Sequence, residues 1–467
     1  MTLRSAAVPF AACALIAIVW LNQSVGLAEW NTLKVEISAA PRDHVVDFVR
    51  YPFLFLYRRA PDEAMYFATA RAILGRSFDQ AALDRGGVPE SFTRVPSLSD
   101  GRWHAPYAEI PLEYPPTAVP FIVLPALVAP TFTWYARLFG ALMGACLVAS
   151  IAIAIRTAGR ARTTDGSSRA SWWLACLLLL AHGAIAIQRL DAVVALLLAL
   201  AVDAAVRRRP AWLGVWMGLA GATKFVPLLL LPVLIAADAS FYRERRRLVT
   251  VAGAAAATFT LGLAPMAAAG NGALGELLAY HARRGLHVES FVGTLYGAAR
   301  AVVGSGEPTT LDFGSFNFHT PVADFLARAC TALTLAAIAY ITYSLWRGGS
   351  IGDDDRTTRI ACAAVAGTAT LWLTGKVFSP QYLTWGIPLL LAVPGAAGVR
   401  LVWIGLGALL LSQIYLRGYY DYVYNQSALG IATLLVRQLA LVALVAIAMR
   451  LARRPDQRVA ARASTRS

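Results

Sequence analysis

The chain has 467 residues, of which 58% are apolar and only 15% charged, and its mean hydropathy is +0.56. A soluble domain is nearer half apolar and one quarter charged, so lipid is the expected solvent, and disordered, collagenous, disulfide-rich and coiled-coil classes are excluded. The net charge of +15, from 42 basic and 27 acidic residues, fits the basic cytoplasmic loops of a membrane protein, and no nucleic-acid partner is expected.

A membrane-spanning helix needs about 20 mostly apolar residues. Apolar runs at 6–27, 132–155, 171–187, 190–206, 211–223, 226–238, 248–268, 323–346, 360–375, 380–394, 400–416 and 428–449 predict an all-α polytopic protein with about 12 transmembrane helices, a single unit over 1–467. The first run reads as a retained anchor because its apolar stretch is long for a signal peptide. Residues 211–238 read as a tight pair or a broken hairpin. The five cysteines (Cys13, Cys146, Cys176, Cys330 and Cys362) all sit in apolar runs without a CxxC partner, so they read as small buried hydrophobes.

Arginine clusters set the orientation. Arg156–Arg169, Arg207–Arg209, Arg243–Arg247, Arg347–Arg359 and a basic tail over 451–467 are all placed on the cytoplasmic side by these spans. The long loops 28–131 and 269–322 then lie outside. Within the first, 41–58 is amphipathic and suited to a membrane surface. Segment 113–129, short and carrying four prolines, reads as a re-entrant or surface helix.

Candidate chemistry gathers on that outer side. Pro61-Asp62-Glu63 is a helix start, with Gly75 as its stop. A helix N-terminus favours a carboxylate, which suits Asp62 to general-base work; an ordinary first-turn acid is the plain alternative. Glu113-Tyr114-Pro115-Pro116 holds a carboxylate at the mouth of the re-entrant segment, placed to bind hydroxyls or tune Asp62. Arg283, Arg284, His287 and Glu289 cluster in one outer loop; paired arginines suit phosphate and equally suit lipid headgroups. The only lysines are Lys34, Lys224 and Lys376. The last two interrupt apolar stretches, where a charge is costly and usually functional, although lysines there also snorkel. No metal-ligand constellation or glycine-rich phosphate loop is found, so neither metal nor cofactor is expected.

Asp62-x-x-x-Tyr66, Glu-Tyr-Pro-Pro, Thr-Lys-Phe-x-Pro-Leu, Arg-Gly-Leu-His-Val-Glu-Ser and Lys-Val-Phe-Ser-Pro-Gln-Tyr-Leu-x-Trp together resemble, in order, the markers of glycosyltransferase family 87. The resemblance covers about residues 60–390. It implies a GT-C fold and an inverting transfer of a sugar, mannose in the best-known members, from a polyprenyl-phosphate donor to a glycolipid or glycan acceptor. The setting it implies is the outer face of a bacterial plasma membrane. On this reading Asp62 is the base, with Glu113 its catalytic companion. Lys224, Arg283, Arg284, His287 and Lys376 supply the donor-phosphate site, and Tyr66, Tyr114, Glu289 and Gln381 contact substrate. The chain departs from the family over 76–105, where its connection is longer. A secondary transporter or lipid flippase, with Arg189, Asp191 and Lys224 as pathway residues, is the alternative from another class; the absence of paired halves speaks against it.

Overall fold

The computed structural model describes residues 11–13, 16, 61–78, 100–110, 112–161, 168–270, 272–304, 309–348, 356–416 and 423–453. The first expected span (except 11–13 and 16), the amphipathic segment 41–58, most of the departure over 76–105 and nearly all of the basic tail lie outside the described residues.

The described chain is overwhelmingly helical. Helix α1 (Pro61–Ile73) begins as its sequence dictates, with proline first and Asp62 and Glu63 in the opening turn. It ends at Gly75, whose φ of +62° is one that side-chain-bearing residues rarely adopt. A 3-10 turn at Pro116–Ala118 leads into α2 (Val119–Val128). There follow α3 (Phe132–Ala158), α4 (Ser168–His182), α5 (Asp191–Val206) and α6 (Pro210–Thr223). After a second 3-10 turn (Val226–Leu230) come α7 (Leu231–Ala237), α8 (Ala239–Arg243), α9 (Arg245–Ala269) and α10 (Ala273–Arg283). The remaining helices are α11 (Phe291–Val302), α12 (Pro321–Arg347), α13 (Arg356–Thr374), α14 (Leu383–Leu391), α15 (Gly395–Ile414) and α16 (Ala428–Ala452).

Five helices, α3, α9, α12, α15 and α16, are long and apolar enough to cross a membrane. Three of them start on a side-chain cap: Thr131, Thr320 and Ser427 each accept from the backbone N–H three residues on. Among the described residues, several of the other expected spans are shorter than a full crossing would require. The run 190–206 forms 16 residues of helix and 211–223 forms 14. The run 380–394 becomes a 3-10 turn and nine residues of helix. At 1.5 Å per residue these are about 24, 21 and 14 Å long, against a hydrocarbon core near 30 Å. Prolines explain part of it: Pro227 and Pro232 divide the 226–238 run, and Pro380 opens the 3-10 turn before α14.

Strand is confined to one small element among the described residues. Three short strands, β1 (Leu286–His287), β2 (Thr310–Asp312) and β3 (Ser315–Phe318), form an antiparallel sheet in the order β1-β3-β2. The β2–β3 turn uses Phe313 and Gly314 at φ +47° and +70°, the positive pair a tight hairpin needs.

The core is built round α13, buried along almost its whole length, packed against α16, α12 and α14. α5 lies between α3, α6 and α14. α6 runs along α9 at very close range: a Cβ on Gly218 would lie 2.6 Å from the carbonyl oxygen of Ala255. Gly214 and Gly218 therefore work as a small-xxx-small face, which is how helices approach when lipid removes the hydrophobic drive between them.

Candidate active site

A cavity of about 490 Å³ opens where α1, the Glu113–Pro115 turn, the Lys224–Val226 turn, the α10–β1 connection, the β2–β3 turn, α12 and the loop after α13 converge. Of the residues singled out from sequence, Asp62, Glu113, Tyr114, Lys224, Arg284, His287, Glu289, Lys376 and Gln381 all line it. They come from positions more than 300 residues apart in the sequence.

Two singled-out residues do not face the cavity. Tyr66 is buried behind the wall, its hydroxyl 2.9 Å from that of Tyr114, so it supports Tyr114 and does not line the cavity itself. Arg283 is exposed on the last turn of α10 and its Nε donates to the Ala279 carbonyl at 3.3 Å. The helix stops at Arg283, and Arg284, at φ −56° and ψ 130°, has left the helical path, which turns its side chain inward while Arg283 stays outside.

The charges are arranged in pairs. Asp62, 8% exposed, forms an ion pair with Arg189, which also lines the cavity. Asp191, 1% exposed, accepts at one oxygen from Lys224 Nζ at 2.8 Å and from Trp385 Nε1 at 2.7 Å. The Lys224 ammonium also sits over the rings of Tyr382 and Trp385, at 4.5 and 5.4 Å from their centroids. Glu289 accepts from the Tyr415 hydroxyl and from Arg437 Nη1 at 3.3 Å, while Arg437 Nη2 and Gln438 Nε2 donate to its backbone carbonyl. Arg437 is fully buried, its guanidinium 4.4 Å above the Phe378 ring.

Two cavity cations stand outside this pairing. Arg284 Nη2 donates to the Ser315 hydroxyl at 3.2 Å. Lys376 Nζ donates to the carbonyls of Ala282 and Arg284 at 2.9 and 2.8 Å, closing the end of α10. Among the described residues no carboxylate lies within ion-pair distance of either. Burial, and then the Arg284 charge, lower the Lys376 ammonium below the ordinary lysine range. Glu113 accepts from the Tyr280 hydroxyl at 2.6 Å.

His287 is placed on the cavity wall but differs from the cation expected of it. It is 2% exposed, and burial, aided by the positive charges of Arg284 and Arg437, pushes its imidazole down to about 4. At neutral pH it offers an N–H and no charge. His281, also on the wall, is pushed down to about 4 by burial and by Arg284 and Lys224.

Sequence reasoning did not assign Arg437, Gln438, Tyr415 or Ser315 to the site. Arg437-Gln438 did carry a signal, a charge and an amide inside the apolar run 428–449. Arg189 and Asp191, pathway residues only on the transporter alternative, are each one half of an ion pair whose other member lines the cavity. No group of three or more histidine, cysteine, aspartate or glutamate side chains that could hold a metal occurs among the described residues.

No curated protein matches the chain. Residues 112–380 match glycosyltransferase family 87, a span that carries the Glu113 turn, Lys224, the Arg284–Glu289 segment and Lys376 but stops short of Asp62 on one side and Gln381 on the other. The match covers more than half of the chain: the chain belongs to glycosyltransferase family 87 and is a membrane-embedded glycosyltransferase.

Proposed function

We propose that this glycosyltransferase has the GT-C architecture and moves a sugar, with inversion, from a polyprenyl-phosphate donor to a hydroxyl of a glycolipid or glycan acceptor. The observation that carries the reading is that one cavity holds Asp62 together with two cations, Arg284 and Lys376, that lack a carboxylate partner among the described residues. Asp62 accepts the proton of the acceptor hydroxyl as its oxygen bonds to the anomeric carbon. The bond from that carbon to the donor phosphate oxygen breaks, and the electron pair leaves with polyprenyl phosphate. Arg284 and Lys376 are then fixed donors aimed at the charge that develops on the leaving oxygen, the kind of stabilisation worth most in a water-poor site. Glu113 and Glu289 are suited to accept from sugar hydroxyls.

The apolar wall supports a lipid-linked donor. Val226, Leu278 and Leu335 line the cavity and are exposed, giving it an accessible apolar wall along which a polyprenyl chain fits. Mannose is the sugar suggested by the family resemblance. The clustering of Arg156, Arg160 and Arg207 round Asp203, at the end of α5 away from Asp191, supports placing the cavity on the outer side of a bacterial plasma membrane.

Asp62→Asn tests the reading in a transfer assay with labelled polyprenyl-phosphate mannose. A positioned base contributes roughly 10²–10⁴ in rate, so the variant should fold and bind donor while losing transfer by about that factor. Glu63→Gln is the control. Burial holds the Glu63 carboxyl above the usual carboxylate range, the direction that favours the uncharged form the amide resembles, and transfer should persist. Wild-type turnover in Asp62→Asn would remove Asp62 from the mechanism and leave Glu113 as the next candidate.

A further inference from the structure

The turn between β2 and β3 breaks a local rule on the wall of the active-site cavity. Asp312 pairs with Ser315, so the loop is the two residues Phe313 and Gly314, both at positive φ. Two-residue hairpin loops of this kind favour asparagine, aspartate or glycine, because other side chains are strained in that conformation. Phenylalanine at φ +47° therefore goes against the turn. A strained residue kept at a site points to a use for its side chain, and Phe313 and Gly314 both line the cavity.

We propose that Phe313 is the stacking platform for the sugar ring of the lipid-linked donor, with Glu113 accepting from that sugar's hydroxyls; the inference rests on the polyprenyl-phosphate reading given above. Phe313 is half-buried. Its ring meets Tyr280 edge to face, with centroids 5.1 Å apart and planes at 77°, a contact that occupies at most one of its two faces. The Tyr280 hydroxyl donates to Glu113 Oε2 at 2.6 Å and reaches the Phe313 carbonyl oxygen at 3.4 Å, so one side chain ties the turn to the carboxylate. An ionised carboxylate has about four acceptor sites, of which the Tyr280 hydroxyl uses one.

The neighbours of the turn decide which sugar it meets. Two residues past Phe313, the Ser315 hydroxyl accepts from Arg284 Nη2 at 3.2 Å. Arg284 Nε is buried with no hydrogen-bond partner among the described residues, a donor that a phosphate oxygen would satisfy. Consecutive Cα atoms are about 3.8 Å apart, so those of Phe313 and Ser315 are separated by at most about 7.6 Å. The donor's anomeric carbon is bonded to a phosphate oxygen, so a phosphate on Arg284 brings the donor sugar to Phe313. In an inverting transfer the acceptor hydroxyl approaches from the opposite face of that carbon, where the base is required. The C–H bonds on one face of a pyranose are apolar with slightly positive hydrogens, and an aromatic face is negative. The sugar can thus lie on the ring while its hydroxyls meet Glu113.

The test compares two lipids that differ only in the sugar. Polyprenyl-phosphate mannose and polyprenyl phosphate are each titrated into the full chain in a nonionic detergent, and the acceptor KM is measured alongside. Phe313→Asn, which suits the turn better than the native residue, should weaken the mannosyl lipid by about ten-fold, the low end of what burying one aromatic side chain is worth. Binding of polyprenyl phosphate should persist, which also shows the variant to be folded. Phe313→Leu keeps apolar bulk without a π face and should lose the same affinity, while Phe313→Tyr should retain most of it. Equal weakening of both lipids, a lower melting temperature with both affinities intact, or a raised acceptor KM alone would overturn the assignment. Failure of the native protein to bind either lipid would refute the polyprenyl-phosphate reading itself, and the inference with it.

Discussion

The Lys224–Asp191 pair distinguishes a structural charge from a substrate-binding one. Asp191 is almost wholly buried, and Lys224 has only 16% of its side chain exposed, so solvent screens the pair little. Lys224→Met removes the ammonium and keeps the unbranched stem. Asp191 would then retain the Trp385 N–H alone. Removing one partner of a buried pair costs about 3–5 kcal/mol, mostly from the charge left behind, and loss of the ammonium over two rings adds about 0.5–2 kcal/mol. The single variant should show a large fall in melting temperature in detergent. Lys224→Met combined with Asp191→Asn should recover most of it, because no buried charge is then left unmatched. Since Asp191 already neutralises Lys224, the double variant should also bind donor with a KM close to that of the native protein. The refuting outcome is a Lys224→Met variant with unaltered melting and a raised donor KM: Lys224 would then serve the phosphate.

The other expectations concern the unpaired cations, the histidines and the buried arginine. Arg284→Gln should lower kcat/KM by about 10–150-fold, the worth of one charge-assisted hydrogen bond, and Lys376→Met by a similar amount, whereas Arg283→Gln should stay within two-fold of the native rate; equal effects of Arg283 and Arg284 would contradict the inward and outward placement. His281 and His287, both pushed down to about 4, are neutral when folded and titrate near 6.5 when unfolded. Stability should therefore be fully present above about pH 6.5 and fall as the pH drops toward 4, where the unfolded chain takes up protons the native chain refuses; melting curves across this range check it, and His281→Gln should flatten the slope. Arg437→Met strands the Glu289 carboxylate and should cost about 3–5 kcal/mol, with Glu289→Gln in the same chain restoring part of the melting temperature; a single variant that melts like the native protein would show the contact to be dispensable.

What could be read from the sequence was local. The start of α1 at Pro61 and its stop at Gly75 depend on cap chemistry within a few residues, and both appear in the structure. The long apolar runs became long helices because composition alone sets their solvent. The pairings could not be read, because each partner is chosen by packing: Asp62 and Arg189 are 127 residues apart, and Glu289 and Arg437 are 148 apart. The exact end of α10 was equally out of reach, and it separates the inward Arg284, just past the helix, from the exposed Arg283 on its last turn. The lysines that stood out by rarity proved to differ in kind, Lys224 joined to a buried acid and Lys376 to two carbonyls.

The pairing also bears on how such a cavity could favour transfer. Asp62 with Arg189, Asp191 with Lys224 and Glu289 with Arg437 are each close to neutral as a unit, so they fix positions more than they create a field. The cavity charges outside these pairs are Arg284, Lys376 and, with opposite sign, Glu113. In the proposed reaction negative charge disappears from Asp62 and grows on the departing phosphate, so charge moves toward those two cations. The peptide carbonyls that hold Lys376 belong to Ala282 and to Arg284 itself, which ties both cations to the end of α10 at one spacing. A field that is already in place does not have to be assembled as the bond breaks. Loosening the end of α10 should therefore slow transfer even where every charge is retained.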